Sequence, residues 1–166
     1  MKVIFSHGKE SGPWGSKITA LANTAKKQGF DADSIDYSGI NDPDERVSVL
    51  VNYLQKETQS YVLVGSSMGG YVSLVCAKTH PPKGVFLLAP ALYMPNYAQQ
   101  DYKAQVEHIS IVHGWSDTVV PVSHSIKYAQ QQHCDLHLIA GDHRLNSSMA
   151  SVTSLFTDFL ERVKNY

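Results

Sequence analysis

The segment Gly65-Ser66-Ser67-Met68-Gly69 constrains the fold of this chain more than any other feature of the sequence. An apolar run, 61–64, precedes it, and an amphipathic stretch that begins at Gly70 follows it. A strand, a G-x-S-x-G and a helix in this order predict a nucleophile elbow, a sharp turn that lifts Ser67 out of a sheet. The glycines provide room because the strand and helix backbones pass close together in such a turn. A helix N-terminus at this point also favours the negative charge that develops during acyl transfer.

Length and composition bound the kind of protein. A chain of 166 residues is long enough to bury one core, so we expect a single domain over residues 1–166. The net charge of −1 provides no basic surface for nucleic acid or an anionic membrane, which favours a small-molecule partner. Two cysteines, Cys76 and Cys134, fit a reducing compartment, and no segment has the pattern of a secretion signal or a membrane span. We therefore expect a cytoplasmic protein, and nothing in the sequence indicates its oligomeric state.

Short apolar runs alternate with helical patterns along the chain. Strands are predicted at 2–6, 30–36, 61–64, 84–89, 109–112 and 136–139. Helices are predicted at 14–28, from Pro43 behind an Asp42 N-cap, at 70–78, at 122–132 and at 147–164. This alternation predicts an α/β fold, a three-layer α/β/α sandwich whose mainly parallel six-stranded sheet has helices on both faces. The pattern fails over 92–107, which we expect to be either a mobile loop or a small cap over a pocket.

Three side chains with complementary chemistry follow three of the predicted strands. Ser67 follows the third strand, Asp117 the fifth and His143 the sixth. Loops at the carboxyl ends of parallel strands meet at one edge of the sheet, where catalytic groups are expected. The chain order serine, aspartate, histidine is that of an α/β-hydrolase triad and differs from the orders in chymotrypsin and subtilisin.

Each of these residues has a rival nearby. Ser66 lies off-centre in the G-x-S-x-G and is interpreted as a turn residue, and Asp142 adjoins His143, where it would cap or brace the loop. His133 and His137 are four residues apart, but the second lies in a predicted strand, so helical geometry does not bring them together on a metal ion. We expect neither a metal nor an organic cofactor.

Four spaced motifs give the chain a wider resemblance. They are His7-Gly8 with the loop 11–14, the elbow, the H-G-x-x-D-x-x-V-P stretch from His113 to Pro121, and the turn 141–143. On these residues, which cover nearly the whole length, the chain resembles the α/β-hydrolase superfamily, especially small lidless bacterial esterases of the YqiA-like kind. The sequence departs from full superfamily members in two ways, because it begins directly with the strand that carries His7-Gly8, without the usual leading antiparallel strands, and it has no inserted lid domain. We therefore expect a minimal α/β-hydrolase fold with no large lid.

The resemblance also implies roles. Ser67 would attack the acyl carbonyl, His143 would take and return its proton, and Asp117 would orient and stabilise the imidazolium. A serine needs such a base because its hydroxyl does not ionise unaided near neutral pH. The backbone N–H groups of Lys9 and Met68 would form the oxyanion hole.

We expect three residues of the first loop, His7, Gly8 and Trp14, to contact the substrate. Trp14 could instead pack the first helix against the sheet. His7 and His113 both precede glycines at strand ends, and as histidines they are better interpreted as loop-bracing residues than as bases.

The predicted function is a serine hydrolase of the carboxylesterase type that acts on a small-molecule acyl ester through an acyl-enzyme on Ser67. The same triad would serve a thioesterase, amidase, perhydrolase or acyltransferase, because it determines that the reaction is acyl transfer but does not determine the leaving group. A binding protein that kept the fold without turnover is the alternative from another class.

Overall fold

Strands and helices alternate along the chain in the computed structural model, which describes residues 1–165. The strands are β1 (Lys2–Ser6), β2 (Asp31–Ile35), β3 (Tyr61–Ser66), β4 (Gly84–Leu88), β5 (His108–Gly114) and β6 (Asp135–Ile139). The helices are α1 (Ser16–Lys27), α2 (Pro43–Leu54), α3 (Met68–Ala77), α4 (Val122–Gln132) and α5 (Met149–Lys164), the last preceded by a short 3-10 turn at Asn146–Ser148.

The six strands form one sheet in the order β2-β1-β3-β4-β5-β6. Every neighbouring pair is parallel, so the predicted mainly parallel sheet is confirmed and is parallel throughout. All five strand-to-strand connections therefore return the chain to the same end of the sheet. The loops that carry Ser67, Asp117 and His143 consequently leave the sheet at one edge.

Two hydrophobic layers cover the two faces of the sheet. Leu63 faces the layer formed with α2, α3 and α4, whereas its neighbours Val62 and Val64 face the layer formed with α1 and α5. This alternation follows from the two-residue period of a strand. The central strand β4 is buried at every position, as expected for a parallel strand covered on both sides. The predicted three-layer α/β/α arrangement is confirmed.

Element boundaries differ slightly from the prediction at the first helix. Trp14 lies outside α1, whose first turn is closed by the Thr19 N–H donating to the Gly15 carbonyl at 2.9 Å. Trp14 is 49% exposed, so it lies outside the buried core, and both of its expected roles, lining a pocket and packing α1 against the sheet, stay predictions. At α2 the prediction holds in detail, because the Asp42 carboxylate accepts from the N–H groups of Asp44 and Glu45.

The segment 92–107 contains neither helix nor strand. Its rings pack edge-on against α3 and α4, with Tyr102 centred 5.9 Å from Tyr71 and 6.4 Å from Tyr128. Tyr93 packs on Tyr102 in turn, at 5.2 Å. These contacts extend the core on that face of the sheet, and closure of the segment over the candidate site stays a prediction.

Helix α5 is amphipathic and buries Val152, Phe156, Phe159, Leu160 and Val163 along one side. Its other side carries the charged residues that face water. Within residues 1–165, no helix combines the length and the apolar character that crossing a membrane requires.

Candidate active site

Ser67 lies at the sharp turn between β3 and α3. Its backbone has φ 54° and ψ −119°, a left-handed conformation that an L-residue adopts only under strain. Three hydrogen bonds of 2.9 Å hold the turn: the Ser67 N–H donates to the Leu88 carbonyl, and the Ser67 carbonyl accepts from the N–H groups of Gly70 and Ala91. The strained nucleophile elbow that the sequence predicts is therefore fixed to the end of β4.

The glycines of the elbow are required by close backbone contacts. A Cβ on Gly65 would lie 2.3 Å from the Gly69 carbonyl oxygen, and a Cβ on Gly69 would lie 1.9 Å from the Ser6 carbonyl oxygen. A Cβ on Gly70 would meet the Pro90 ring at 2.6 Å. Real side chains do not make such contacts, so these positions must lack a Cβ for β1, β3 and α3 to meet as they do.

The structure brings Ser67, His143 and Asp117 into one hydrogen-bonded chain. The His143 Nε2 atom lies 3.0 Å from the Ser67 Oγ atom, and the His143 Nδ1 atom lies 2.7 Å from the Asp117 Oδ2 atom. Because an ionised carboxylate only accepts, Nδ1 carries the imidazole hydrogen. Nε2 is then free to accept the Ser67 hydroxyl hydrogen, which is the tautomer that a general base needs.

The loops after β5 and β6 approach each other closely enough to hold this geometry. The Trp115 N–H donates to the Ile139 carbonyl at 2.9 Å, and the Ser116 N–H donates to the Gly141 carbonyl at 3.0 Å. A Cβ on Gly114 would lie 2.3 Å from that same Gly141 carbonyl oxygen. The glycine at the end of β5 thus permits the contact that aligns the acid-bearing loop with the histidine-bearing loop.

Asp142, the predicted bracing residue, stabilises the turn that follows it. Its Oδ1 atom accepts from the N–H groups of Arg144 and Leu145 at 3.0 Å each. The Lys17 ammonium reaches the same turn from α1 and donates to the Arg144 carbonyl at 3.0 Å. Burial lowers the pKa of Lys17 to about 8, although the Asp142 and Asp117 carboxylates oppose that shift.

Asp117 is fully buried and accepts hydrogen bonds on both carboxylate oxygens. Its Oδ2 atom is shared by His143 and by the His113 Nε2 atom, which lies 2.9 Å away. Its Oδ1 atom accepts from the N–H groups of Val119 and Val120 at 2.8 Å each. Burial raises the pKa of Asp117, but these hydrogen bonds outweigh it and hold the pKa below its ordinary value. The carboxylate is therefore ionised at neutral pH.

His113 contacts the same carboxylate from the side away from His143. Its Nε2–H is shared between Asp117 and the Val120 carbonyl at 3.1 Å, and its Nδ1 atom accepts from the Ser125 hydroxyl at 2.7 Å. The ring is buried, and burial lowers the pKa of His113 despite the nearby carboxylate. A neutral imidazole donating to Asp117 goes beyond the loop-bracing role that sequence reasoning indicates, and the H-G-x-x-D spacing of four residues is the signal that could have found it.

The His7 ring is used within the protein. The Tyr37 N–H donates to its Nε2 atom at 3.0 Å, so the ring hydrogen lies on Nδ1, which donates to the Gly8 carbonyl at 2.7 Å. The side chain is buried, and burial lowers the pKa of His7. Its ring therefore braces the loop, and any substrate contact at this position falls to the backbone.

The two N–H groups expected to form an oxyanion hole flank Ser67. Met68 is the first residue of α3, and a Cβ built on Gly8, which precedes Lys9, would lie 3.5 Å from the Ser67 Cβ atom. Within residues 1–165 neither the Lys9 N–H nor the Met68 N–H has a protein acceptor. The oxyanion-hole roles of Lys9 and Met68 and the substrate-binding roles of Gly8 and Trp14 stay predictions.

Other candidate features lie away from this site. Two surface cavities, of about 120 and 240 Å³, lie near the amino end of β5 and beside α4, and none of the triad residues lines them. Within residues 1–165, no group of three or more histidine, cysteine, aspartate or glutamate side chains is arranged to hold a metal ion.

Comparison with known proteins agrees with this architecture. The model of the uncharacterised protein family UPF0227 matches residues 2–163. Among solved structures, a protein of the α/β-hydrolase superfamily from Xanthomonas campestris pv. campestris shares 30% identity over 97% of both chains, with a TM-score of 0.89. No similar protein is found among curated sequences.

Two more distant structures share the fold. Est1E from Butyrivibrio proteoclasticus is 19% identical over 99% of this chain and 88% of its own, with a TM-score of 0.83, and has also been solved with ferulic acid bound. An α/β serine hydrolase without a lid from Xanthomonas campestris is 19% identical over 97% of this chain and 81% of its own, with a TM-score of 0.74.

Proposed function

Because the chain belongs to the UPF0227 family and to the α/β-hydrolase superfamily, we propose that it is a serine hydrolase that cleaves small carboxylic esters through an acyl-enzyme on Ser67. The observation that carries this proposal is the continuous hydrogen-bonded chain from Ser67 through His143 to the buried Asp117 carboxylate. A serine at a strained elbow, an imidazole whose hydrogen lies on Nδ1 and an ionised acid together fit nucleophilic acyl transfer.

The first half of the reaction transfers the acyl group to the enzyme. His143 Nε2 takes the Ser67 hydroxyl proton as Oγ bonds to the ester carbonyl carbon, and the carbonyl π electrons move to its oxygen. Asp117 stabilises the resulting imidazolium and remains ionised. The tetrahedral intermediate then collapses, the bond to the alcohol oxygen breaks, and His143 returns the proton to the departing alcohol.

The second half releases the acid. A water molecule gives a proton to His143 Nε2 while its oxygen bonds to the acyl carbon, and collapse returns that proton to Ser67 Oγ. The carboxylic acid leaves and the free enzyme is restored.

The oxyanion of both intermediates would be held by the backbone N–H groups of Lys9 and Met68. Neither is engaged by a protein acceptor within residues 1–165, and the second lies at the N-terminus of α3, where the helix dipole favours negative charge. Removing one donor of this kind typically costs about 10²–10³-fold in kcat.

The triad serves esters, thioesters and amides alike, so an assay is needed to determine which leaving group the enzyme prefers. The assay uses p-nitrophenyl esters from acetate to octanoate, methyl ferulate because Est1E binds ferulic acid, and a matched thioester and amide. We expect ester hydrolysis to exceed the other two, and the acyl length with the highest kcat/KM to report the size of the acyl pocket.

A pair of adjacent serine variants tests the nucleophile. Ser67→Ala removes the hydroxyl bonded to His143, and we expect it to lower kcat by about 10³-fold or more without unfolding the protein. Ser66→Ala removes the neighbouring hydroxyl and serves as the matched control, which should keep kcat within about threefold of wild type. An unchanged rate in Ser67→Ala would overturn the proposed function.

A further inference from the structure

Arg46 is a buried cation in the first turns of α2. Its side chain is 1% exposed, and within residues 1–165 no carboxylate pairs with it. The guanidinium lies over the Tyr37 ring at 5.2 Å, and its Nε atom donates to the Ile40 carbonyl at 2.7 Å. Burial of a charge is costly, and burial lowers the pKa of Arg46 even in this polar setting. An aliphatic side chain would fill the same place on the buried face of α2 without that cost.

The remaining hydrogen bonds of Arg46 go to the loop that carries one of the oxyanion donors. Its Nη1 atom donates to the His7 carbonyl at 3.1 Å and to the Gly8 carbonyl at 3.2 Å. The Gly8 carbonyl also accepts from the His7 Nδ1–H at 2.7 Å. Two side-chain donors therefore bind a single backbone carbonyl of this loop.

That carbonyl and the Lys9 N–H belong to the same peptide unit. The peptide is trans, since residues 1–165 contain no cis peptide bond, so its C=O and N–H point in opposite directions. Holding the Gly8 carbonyl towards Arg46 and His7 consequently fixes the direction of the Lys9 N–H away from them. Gly8 itself lies against Ser67, which places this peptide beside the nucleophile.

We propose that Arg46 is a positioning residue of the oxyanion hole, acting through the Gly8–Lys9 peptide. The guanidinium anchors the carbonyl end, polarises the peptide so that Lys9 becomes a stronger donor, and contributes an unneutralised positive charge close to the developing oxyanion. This inference rests on the proposed serine hydrolase function. Arg46 lies four residues before Leu50 on the buried face of α2.

Steady-state kinetics on the ester with the highest kcat/KM separate a positioning role of Arg46 from a role in packing alone. In Arg46→Met we expect kcat to fall about 10 to 100-fold while KM changes less than about twofold, because the lost interaction operates in the transition state. Arg46→Lys keeps a cation that can reach one carbonyl, so it should recover part of the lost kcat. The matched control is Leu50→Ala, a buried truncation on the same face of α2 that destabilises the protein without touching the loop and should retain kcat.

Nuclear magnetic resonance gives a readout that does not depend on turnover. In the ¹H–¹⁵N spectrum of Arg46→Met we expect the Lys9 amide signal to shift from its wild-type position. In the spectrum of Leu50→Ala we expect the Lys9 amide signal to stay in place. An unmoved Lys9 amide in Arg46→Met, or a kcat that falls no further than in Leu50→Ala, would overturn the inference. Wild-type protein that hydrolyses no ester would instead overturn the proposed function, so the two failures are distinguishable.

Discussion

At the scale of single residues, Asp117 is the most heavily used side chain of the site. It accepts from two histidine rings and two backbone N–H groups, so both of its oxygens are committed. This saturation keeps the carboxylate ionised while it is buried, and it fixes the tautomer of His143.

Asp117→Asn tests whether Asp117, and not Asp142, is the acid that pairs with His143. The amide can present an N–H to His143, which favours the wrong imidazole tautomer, and we expect kcat to fall by about 10³–10⁴-fold. Asp142→Asn is the matched control, because an asparagine oxygen can still accept from Arg144 and Leu145, and its kcat should stay within about threefold of wild type. Steady-state kinetics on one ester decide the matter, and the opposite ranking of the two variants would assign the acid to Asp142.

Some residues of the site could be predicted from the sequence and others could not. Ser67, Asp117 and His143 could be selected because each follows a strand and the strands of a parallel sheet end at one edge. Arg46 and the bond from His113 to the acid were missed, since charged or imidazole groups become buried partners only through contacts that the fold creates. The contact between Arg46 and the His7 carbonyl, for example, spans 39 residues of chain.

At the scale of elements, the elbow depends on glycines that let β1, β3 and α3 approach one another. Gly69→Ala would place a Cβ 1.9 Å from the Ser6 carbonyl oxygen, a backbone atom that cannot rotate away. We expect the free energy of unfolding to fall by about 3 kcal/mol or more, because overpacking of this kind must displace backbone.

Gly12→Ala provides the matched control for that substitution. A Cβ on Gly12 meets nothing within 4 Å, so its free energy of unfolding should stay within about 0.5 kcal/mol of wild type. Urea unfolding followed by circular dichroism measures both variants, and equal stability of the two would contradict the packing described for the elbow.

The elements themselves were largely predictable because their patterns are local. The buried run of β4 and the Asp42 cap of α2 carry strong signals, and even the acid-rich β2 is a strand, placed at the sheet edge where charged residues are tolerated. Trp14 was placed in α1 by its spacing alone, whereas the helix begins after it. The course of 92–107 could not be predicted because its tyrosines are positioned by long-range contacts with α3 and α4.

At the scale of the whole molecule, buried neutral histidines couple stability to pH. Burial lowers the pKa of both His7 and His113 below the ordinary value of 6.5 that they regain on unfolding. The unfolded chain therefore binds more protons in acid, so stability is fully present above about pH 6.5 and is lost as the pH falls through the lower folded pKa values. Asp117, whose folded pKa is also lowered, adds a further loss at still lower pH.

Urea unfolding at pH 7.5 and at pH 5 tests this coupling. We expect a lower free energy of unfolding at pH 5, and a smaller difference between the two values in His113→Gln, which cannot titrate. His133→Asn replaces an exposed histidine at the left-handed end of α4 with a residue that tolerates that conformation, so it should keep the wild-type difference. Stability that rises on acidification would contradict the neutral, buried state of both rings.

The central claim, that the hydrogen-bonded chain activates Ser67, is tested most directly by intact-mass spectrometry after exposure to a fluorophosphonate. We predict one adduct on the wild-type protein, the same adduct on Ser66→Ala, and none on Ser67→Ala, with peptide mapping placing the label on Ser67. Folded wild-type protein that takes no label, or a label that persists in Ser67→Ala, would contradict the account.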